Sequence, residues 1–470
     1  MLMKTLGILS ISFLLIFFSC KKETFITSPD ARVTITEDTL KYDTVFVTSG
    51  SVYQFFKIIN ENNQKLRLSS VKLMGGSSSP YKINVDGITG PEINNLEIEA
   101  NDSVYVFVQV NINQNANNLP FIVKDSIQIS YNGKNRLVQL QAFGQNAHFF
   151  RNKEIAVNET WVNDLPYVIL GSLVIDPNTS LTINKGCRIF VHADAPIIVD
   201  GTLLINGQKD TIDRVYIQGD RLDDPYKDFP AGWPGIFFRT TSKDNVFNYA
   251  VIKNAYQAIA MVDLSSNANP KLTLNECIID NAYDAGIITI HSSINARNCL
   301  ISNCGKNIFL TKGGDYQFTH CTVASYSNNF ILHKDSVLSV FDFDLDKPSM
   351  IFPLNATFRN CIFWGENGTV INEVGLYKKN PTNTITFDQI LWKVQSNPSG
   401  AGITVSGAFN QPPLFDSINV SKNYYNFRLK APIPLSPAID KGANTTVTID
   451  LDGKTRPLGL KPDLGCFEKQ

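Results

Sequence analysis

The cysteines in the second half of the chain are the first side chains whose chemistry must be explained. Cys299 and Cys304 lie five positions apart among asparagines and short apolar residues, which could indicate a metal site, a redox pair or a structural role. Zinc sites usually combine a Cys-x-x-Cys pair with further cysteines or histidines at short spacing, and the sequence contains no such set. The pattern therefore favours a structural role, with metal binding or redox chemistry as the alternative.

Three aspartates at alternating positions form a second candidate. Asp342, Asp344 and Asp346 share one face of any extended segment, because successive side chains of a strand point to opposite sides. Carboxylate oxygens are ligands that Ca²⁺ prefers, so the three together could hold a calcium ion. A solvated hairpin face is the alternative. No other cofactor is expected.

The segment GDRLDDPYKDFPAGWPG combines acidic residues with a tryptophan. Asp220, Asp223, Asp224 and Asp228 precede Trp233. We expect Trp233 to be exposed, so that its ring could stack on a sugar while the carboxylates bind calcium. The alternative is a solvated loop that binds no ligand.

Two tyrosines occupy the same place in successive repeats of the chain. Tyr256 follows Ala250 by six positions, and Tyr283 follows Cys277 by the same distance. Aromatic rings aligned in this way suit the faces of pyranose rings, so the pair is a candidate ligand-binding ridge. Alternatively, the two rings only cover an apolar strand.

The elements that position these residues follow from a repeat. Five segments align on a column made of Ala250, Cys277, Cys299, Cys321 and Cys361, with steps of 27, 22, 22 and 40 residues. Repeats of this length without helical periodicity are typical of the coils of a β-solenoid. We therefore expect the four cysteines to form a buried ladder in which the thiol acts as a small apolar group.

The columns beside the cysteines predict strands and corners. Positions two after the column fit an inward strand face: Ile252, Ile279, Ile301, Val323 and Phe363. Positions three before it are apolar on the opposite parity, so a bend must intervene. Turn-forming residues four after the column indicate a second corner: Asn254, Asn281, Asn303, Ser325 and Gly365.

A third strand completes each predicted coil. It should begin near Ile259, Ile287, Ile308, Phe330 and Val370. Its outward row would be Ala260, Ile288, Phe309, Ile331 and Ile371. Three strands per coil make a parallel β-helix, which we predict over residues 149–470.

Residues 31–148 follow a different pattern. Short alternating runs such as VYQFFKIINEN and DSVYVFVQVNI are separated by turn residues, and none shows sustained helical periodicity. This spacing predicts a β-sandwich ahead of the β-helix. The fold class is therefore all-β.

The start of the chain predicts export. A lysine precedes an apolar run of thirteen residues, which is shorter than the roughly 20 that a membrane-spanning helix needs. We therefore predict a signal peptide over residues 1–19. The following Ser19 and Cys20 resemble the cleavage site of bacterial lipoproteins, of the Bacteroidetes type in particular. The resemblance implies that Cys20 carries the lipid and that residues 20–30 form a polar tether.

Two further resemblances cover most of the chain. The stretches DTVFVTSGSVYQFFKIINENNQKLRL and VQLQAFGQ resemble immunoglobulin-like domains of the ASPM, SPD-2 and hydin type, which implies a spacer or adaptor. Residues 155–470 contain VDGTLLINGQ, GWPGI and the terminus SPAIDKGANTTVTIDLDGKTRPLGLKPDLGCFE, and they resemble surface proteins of the pectate-lyase-like superfamily. That resemblance implies a right-handed, single-stranded parallel β-helix. Its end, from about residue 432, should form a cap knitted by Asp440, Asp452, Arg456 and Asp463.

The same resemblance defines what an active site would need. Enzymes of that superfamily would place calcium-binding acids and a basic residue, or neighbouring aspartates, on one strand of the coil and its loops. The outward row predicted here is apolar and cannot transfer a proton, so we predict no catalytic residues. Whether the protein is an enzyme stays open; if it is one, it should be lyase-like.

The charge balance excludes one class of partner. Lys and Arg number 42 against 43 Asp and Glu, so there is no basic surplus for binding nucleic acid. We predict a lipoprotein of the cell envelope, in the outer membrane, that presents a non-catalytic β-helix to a glycan, a surface protein or another surface component. The alternatives are a polysaccharide lyase or glycoside hydrolase acting on a uronic-acid polymer, and a structural adhesin. The ligand, the leaflet and the oligomeric state stay open.

Overall fold

The computed structural model describes residues 24–46, 51, 53–112, 121–430 and 433–469. The chain divides into two compact units, Met1–Asn146 and Ala147–Gln470, so the boundary falls two residues before the expected one. The predicted signal peptide and Cys20 lie outside the described residues. Within the described part, no helix has the length and apolar character needed to cross a bilayer.

The first unit is an immunoglobulin-like β-sandwich. Its strands are β1 (Val33–Ile35), β2 (Thr39–Phe46), β3 (Gln54–Asn60), β4 (Leu66–Leu73), β5 (Tyr81–Val85), β6 (Ile88–Thr89), β7 (Glu92–Ile98), β8 (Ser103–Val110), β9 (Phe121–Tyr131) and β10 (Lys134–Gln145). One sheet has the order β1-β3-β8-β5-β6 and the other the order β2-β10-β9-β4-β7. The strands pair antiparallel, except that β2 and β10 run parallel.

Alternating side chains place the core between the two sheets. In β8, Val104, Val106 and Val108 are buried, whereas Tyr105 and Phe107 point outward. The same period of two buries Phe56 and Ile58 in the neighbouring strand β3. The predicted sandwich is therefore confirmed.

The chain joins the sandwich earlier than the predicted tether allows. Phe25 forms a parallel bridge with Lys65, and the guanidinium of Arg67 lies 4.1 Å from the centroid of the Phe25 ring. The tether expected through residue 30 therefore ends before Phe25, because this apolar ring packs against the sandwich.

The second unit is a right-handed parallel β-helix. Its strands are β11 (His148–Ile155), β12 (Glu159–Trp161), β13 (Tyr167–Ile175), β14 (Ser180–Asn184), β15 (Arg188–Val191), β16 (Ile197–Val199), β17 (Thr202–Asn206), β18 (Val215–Gly219), β19 (Trp233–Phe238), β20 (Asn245–Asn248), β21 (Ala250–Lys253), β22 (Ala255–Val262), β23 (Leu272–Asn275), β24 (Ile278–Asp280), β25 (Ala285–Arg297), β26 (Leu300–Ser302), β27 (Lys306–Thr319), β28 (Thr322–Tyr326), β29 (Leu338–Phe341), β30 (Leu354–Arg359), β31 (Ile362–Glu366), β32 (Val374–Tyr377), β33 (Thr384–Trp392) and β34 (Ile403–Phe409). A hairpin of β35 (Phe415–Asn419) and β36 (Tyr424–Leu429) follows.

Each coil contributes a strand to three parallel sheets. The first sheet contains β12, β14, β17, β20, β23, β30, β33 and β34, and β33 continues into the second sheet. The second contains β15, β18, β21, β24, β26, β28 and β31, and the third contains β16, β19, β22, β29 and β32. The long strands β25 and β27 begin in the third sheet and end in the first.

The cysteine ladder is confirmed. The register of the second sheet pairs the residues that follow the ladder positions, so Cys277, Cys299, Cys321 and Cys361 lie in one column. All four side chains are fully buried in the core inside the coils. The same register extends the column to residues that the sequence alignment missed: Cys187 and Val215 before Ala250, and Ile390 after Cys361.

Left-handed residues form the two predicted corners. Between the first and second sheets, φ lies between 47° and 55° at Tyr249, Glu276, Asn298, His320 and Asn360. Between the second and third sheets, φ lies between 52° and 61° at Asn254, Asn281 and Asn303. Ser325 and Gly365 instead lie within β28 and β31, so the second corner is displaced in those two coils.

The third strand of the last two aligned coils begins later than predicted. Ile308 pairs with Leu338, and Leu338 pairs with Val374, so the strands do not begin at Phe330 and Val370. The outward row therefore continues from Phe309 to Ser339 and Gly375, and the prediction of Ile331 and Ile371 in that row is wrong. The reason is that loops of residues 327–337 and 367–373 separate the second and third sheets there, so a fixed offset from the cysteine no longer locates the strand.

The C-terminal segment covers a flank of the β-helix rather than the open edge at its end. Residues 433–469, named here the C-terminal strap, pack on the outer face of the second sheet, where Leu300, Ile362 and Trp364 contact the Leu464 region. Polar contacts also fix the strap; for example, the amide of Asn360 donates to Ala443 O at 2.8 Å, and Cys466 N donates to Thr322 Oγ1 at 3.0 Å. Outward side chains of this sheet beneath the strap are apolar and need cover from water, among them Leu300, Ala324, Ile362 and Trp364, which explains the location.

Part of the predicted polar network exists within the strap. Asp463 accepts a hydrogen bond from Asp440 N at 2.7 Å, and Asp463 O accepts one from Arg456 at 2.8 Å. Asp452 instead forms an ion pair with Arg428 of β36 at 2.8 Å. The motif therefore ties the strap together and to the hairpin before it.

Candidate functional site

The outer face of the third sheet carries an apolar groove. The register aligns Ile198, Phe237, Ala260 and Ile288 in one outward column, and Phe309 follows in the next coil. These side chains are half-buried, and the first four line a groove of about 480 Å³. A concave apolar surface of this size lies in the range of small-molecule sites.

A pair of stacked tyrosines lies beside the starts of two strands of this sheet, Tyr256 within β22 and Tyr283 two residues before β25. The ring centroids of Tyr256 and Tyr283 are 5.8 Å apart with an interplanar angle of 29°, and the side chains are 46% and 51% exposed. Each ring lies two residues after a left-handed corner asparagine, and Asn281 donates a hydrogen bond to Asn254 Oδ1 at 2.8 Å. The predicted alignment of the two tyrosines is confirmed, and the pair is named here the tyrosine ridge.

Polar side chains connect the ridge to the groove. Gln257, which also lines the groove, donates to Asp284 Oδ2 at 2.7 Å, and Lys306 Nζ lies 2.9 Å from Asp284 Oδ1. Burial raises the pKa of Asp284, but the hydrogen bonds from Gln257 and Lys306 outweigh burial and hold that pKa below its usual value. Asp284 is therefore ionised near neutral pH and is a poor proton donor.

Sequence reasoning missed these polar neighbours. Gln257 and Asp284 each follow a ridge tyrosine directly, so their alignment was readable in the repeat. Arg239 at the other side of the groove had no such signal. Its Nε donates to Asp200 Oδ1 at 2.8 Å, a contact between residues 39 positions apart.

Trp233 is not available to a ligand. Its side chain is 1% exposed and belongs to the core inside the coils, where Nε1 donates to Lys253 O at 2.8 Å. The expectation of an exposed tryptophan is therefore wrong. Trp233 is the first residue of β19, and the strand turns its ring inward.

Carboxylates of the acidic loop before Trp233 form ion pairs or hydrogen bonds with neighbouring side chains. Asp220 lies 2.7 Å from His192 Nδ1, and Asp223 forms an ion pair with Arg221 at 2.8 Å. Burial raises the pKa of Asp220, against the opposing effect of His192. Asp224 and Asp228 lie further along the same loop, where Asp224 pairs with Lys227.

Asp342 and Asp344, two of the three alternating aspartates, direct their carboxylates to protein partners. The carboxylate of Asp342 accepts a hydrogen bond from Lys379 N at 2.8 Å, and Asp344 forms an ion pair with Lys312 at 2.8 Å. The hydrogen bond from Lys312 lowers the pKa of Asp344. Asp346 N donates to Asp344 Oδ1 at 3.0 Å. Across the described residues, no three His, Cys, Asp or Glu side chains are grouped to hold a metal, and calcium binding here stays a prediction.

Comparisons with known proteins add little to this geometry. No family model and no curated protein matches the chain. A family 123 glycoside hydrolase from Clostridium perfringens is 13% identical over 26% of this chain and 30% of its own, with a TM-score of 0.19. A human CEP192 ASH/PapD-like domain is 12% identical over 27% of this chain and 92% of its own, with a TM-score of 0.18. The complex of SafA pilin with the SafB chaperone from Salmonella enterica is 13% identical over 26% of this chain and 57% of the matched chain, with a TM-score of 0.17.

Proposed function

We propose that this protein is an envelope-anchored lipoprotein whose β-helix binds a glycan, or another component of the cell surface, without catalysis. The observation that carries the proposal is the tyrosine ridge beside the apolar groove of the third sheet. Two exposed phenol rings present a flat apolar surface with a hydroxyl on each ring. Such a surface matches the C–H face and the hydroxyl groups of a pyranose.

The groove gives the proposed ligand a floor and polar borders. Phe237, Ala260 and Ile288 offer apolar contact, while Gln257 and Arg239 stand at the borders as hydrogen-bond donors. Sites that bind small molecules usually combine a mostly apolar lining with few placed polar groups. A short run of sugar units is the ligand that this combination favours.

The charges around the groove support binding rather than turnover. Most glycosidases need two carboxyl groups on either side of the scissile bond. Among the described residues that line the groove, Arg239 is the one charged side chain, and it is paired with Asp200. The nearby Asp284 is held ionised by Lys306 and cannot serve as a general acid.

The anchor in this proposal rests on the sequence at Cys20. Several acyl chains on one residue, each buried CH₂ adding about 0.8 kcal/mol, would hold the protein on a membrane without a spanning helix. Binding would then take place at the surface of the cell envelope.

Retention on a glycan array tests the binding site. The double variant Tyr256→Ala with Tyr283→Ala should no longer bind the glycans that bind the unaltered protein, because it removes both rings of the ridge. Tyr424→Ala is the matched control, since Tyr424 is 53% exposed and lies on β36. Equal retention of the double variant and the control would contradict the ridge as the binding site.

A depolymerisation assay tests the absence of catalysis. Uronic-acid polymers are incubated with the protein, with and without calcium, and products are followed by ultraviolet absorbance of unsaturated ends and by reducing ends. We expect no product above background. Either kind of new end would favour the polysaccharide lyase or glycoside hydrolase alternative.

A further inference from the structure

The sandwich has an outward face that carries aromatic rings where alternation would place polar side chains. Phe55 of β3 lies opposite Phe107 of β8, and Tyr105 precedes Phe107 on the same side of β8. The exposed fractions are 50% for Phe55 and 38% for both Tyr105 and Phe107, and Tyr53 before β3 is 63% exposed. Antiparallel sheets usually turn polar residues to solvent, so these four rings, named here the aromatic face, require an explanation.

Three of the four rings, those of Phe55, Tyr105 and Phe107, contact one another. The centroid of Phe55 lies 5.4 Å from that of Tyr105 and 5.8 Å from that of Phe107. Tyr105 and Phe107 are 5.7 Å apart with an interplanar angle of 12°. Lys57 Nζ lies 4.5 Å from the centroid of Tyr105, which places a positive charge at the border of the surface.

A groove of about 870 Å³ continues from this surface along β5 and β6. Tyr53 and Phe107 line it together with Gln109 of β8 and the exposed Lys82 of β5. Gln109 and Lys82 lie opposite each other in the pairing of these two strands. The described lining residues include this lysine and no Asp or Glu. The nearby carboxylate of Asp125 is engaged by Gly75 N at 3.0 Å and by the hydroxyl of Ser79.

The charge and the rings together select the ligand. Aromatic faces take the apolar side of sugar rings, and the ammonium groups of Lys57 and Lys82 take negative substituents. Lysine is depleted from the cores of protein interfaces, so a protein partner fits this surface less well. We propose that the sandwich binds an acidic polysaccharide, one that carries carboxylate or sulfate groups, on the aromatic face and in the adjoining groove.

This proposal is independent of the one for the β-helix. Its residues belong to the first compact unit, whereas the tyrosine ridge and its groove belong to the second. It also goes beyond the spacer or adaptor role that the resemblance of the sandwich implied.

Affinity electrophoresis of the purified full chain tests the proposal. The gels contain polygalacturonate, chondroitin sulfate or the neutral polymer dextran. We expect the two acidic polymers to retard the protein and Phe107→Ala to weaken that retardation about tenfold in apparent Kd. Phe143→Ala is the matched control, because Phe143 is also 38% exposed but lies on β10 of the other sheet. This control should behave as the unaltered protein.

A charge variant separates the acidic ligand from a neutral one. Lys82→Gln should weaken retardation by the acidic polymers and reduce its dependence on salt, because one ammonium group no longer pairs with the polymer. Equal retardation by dextran would overturn the proposal.

Four other outcomes would contradict the proposal. The proposal fails if Phe107→Ala and Phe143→Ala are retarded equally, or if no acidic polymer retards the unaltered protein. It also fails if sedimentation shows a dimer that Phe107→Ala dissociates while no polymer binds, since the face would then join two copies. If only the Tyr256→Ala and Tyr283→Ala variant loses retardation, the binding belongs to the β-helix and this proposal fails alone.

Discussion

The ladder cysteines show how burial decides what a thiol can do. Burial raises the pKa of the Cys277, Cys299 and Cys321 thiols well above the usual value, and neighbouring thiols contribute less. Because the thiolate is the reactive form, these side chains are poor nucleophiles and poor metal ligands. The sequence predicted this role correctly, because the column recurs with apolar neighbours at fixed offsets.

A charge placed in the ladder should destabilise the protein strongly. Cys299→Asp puts an unpaired carboxylate among fully buried neighbours, so we expect the free energy of unfolding to fall by roughly 3 to 5 kcal/mol. Cys299→Ala is the control and should cost only about 1 kcal/mol, since Ala250 occupies the same column two coils earlier. Urea unfolding measures both. Similar losses in the two variants would contradict a dry ladder.

His320 is a second residue whose surroundings fix its charge. Arg456 donates a hydrogen bond to His320 Nδ1 at 2.7 Å, and the amide nitrogen of Asn360, also a donor, lies 2.9 Å from His320 Nε2. Burial, and then the charge of Arg456, lower the pKa of His320 to about 2. His320 is therefore a neutral corner residue in the folded protein.

The depressed pKa of His320 predicts a loss of stability in acid. Between about pH 6.5, where an unfolded histidine titrates, and the folded pKa, the unfolded chain binds a proton that the folded chain does not. Stability should therefore fall on acidification by up to about 1.4 kcal/mol per pH unit from this group. His320→Asn should flatten that slope, because Asn298 and Asn360 hold the same corner position in neighbouring coils. Equal slopes of stability against pH, from pH 6.5 to 4.5, in the unaltered protein and in His320→Asn would contradict this contribution of His320.

For the strands and loops, the sequence was informative wherever the repeat kept its length. The ladder and the first corner follow fixed offsets from the cysteine, so both were predictable. Phe330 and Val370 were misplaced because the loops before β29 and β32 differ in length from those of earlier coils. The pairing of His333 with Glu373 at 2.9 Å, which joins those two loops, connects residues 40 positions apart and gives no local signal.

The C-terminal strap was recognisable as a motif but not as a cover for the second sheet. Its contact residues are dispersed through the chain: Leu300, Ala324, Ile362, Trp364 and Leu391 on the β-helix, and Ala438, Leu451, Leu464, Cys466 and Phe467 on the strap. No single segment of sequence shows that these two sets meet. The location follows from the need to bury an apolar outer face.

Two leucines of the strap provide a matched test of this packing. Leu464 is fully buried against the second sheet, whereas Leu460 is 93% exposed. Leu464→Ser should therefore lower the free energy of unfolding by about 2 to 4 kcal/mol, and Leu460→Ser should leave it nearly unchanged. Trp364 lies in the same buried cluster and reports the transition by fluorescence. Equal effects of the two substitutions would show that the strap does not cover this sheet.

Taken as a whole chain, the protein carries an exposed aromatic surface on each of its compact units. The tyrosine ridge arises because two coils place the same residue type after the same corner, whereas the aromatic face arises because alternation in β3 and β8 turns rings outward. Only the ridge was predicted from the sequence, since a repeat makes alignment visible. The aromatic face needed the strand register, because Phe55 and Phe107 are far apart in the chain.

Attachment of the whole chain to a membrane through Cys20 is the remaining prediction. If Cys20 carries several acyl chains, the protein expressed in a bacterium that processes lipoproteins should partition into the detergent phase on phase separation, because each buried CH₂ contributes about 0.8 kcal/mol. Cys20→Ser removes the acceptor thiol and should leave the protein in the aqueous phase. Cys304→Ser is the control for loss of a thiol, since the buried Cys304 lies inside the β-helix. Aqueous partitioning of the unaltered protein would show that Cys20 is not an anchor, and would leave both binding surfaces to act from solution.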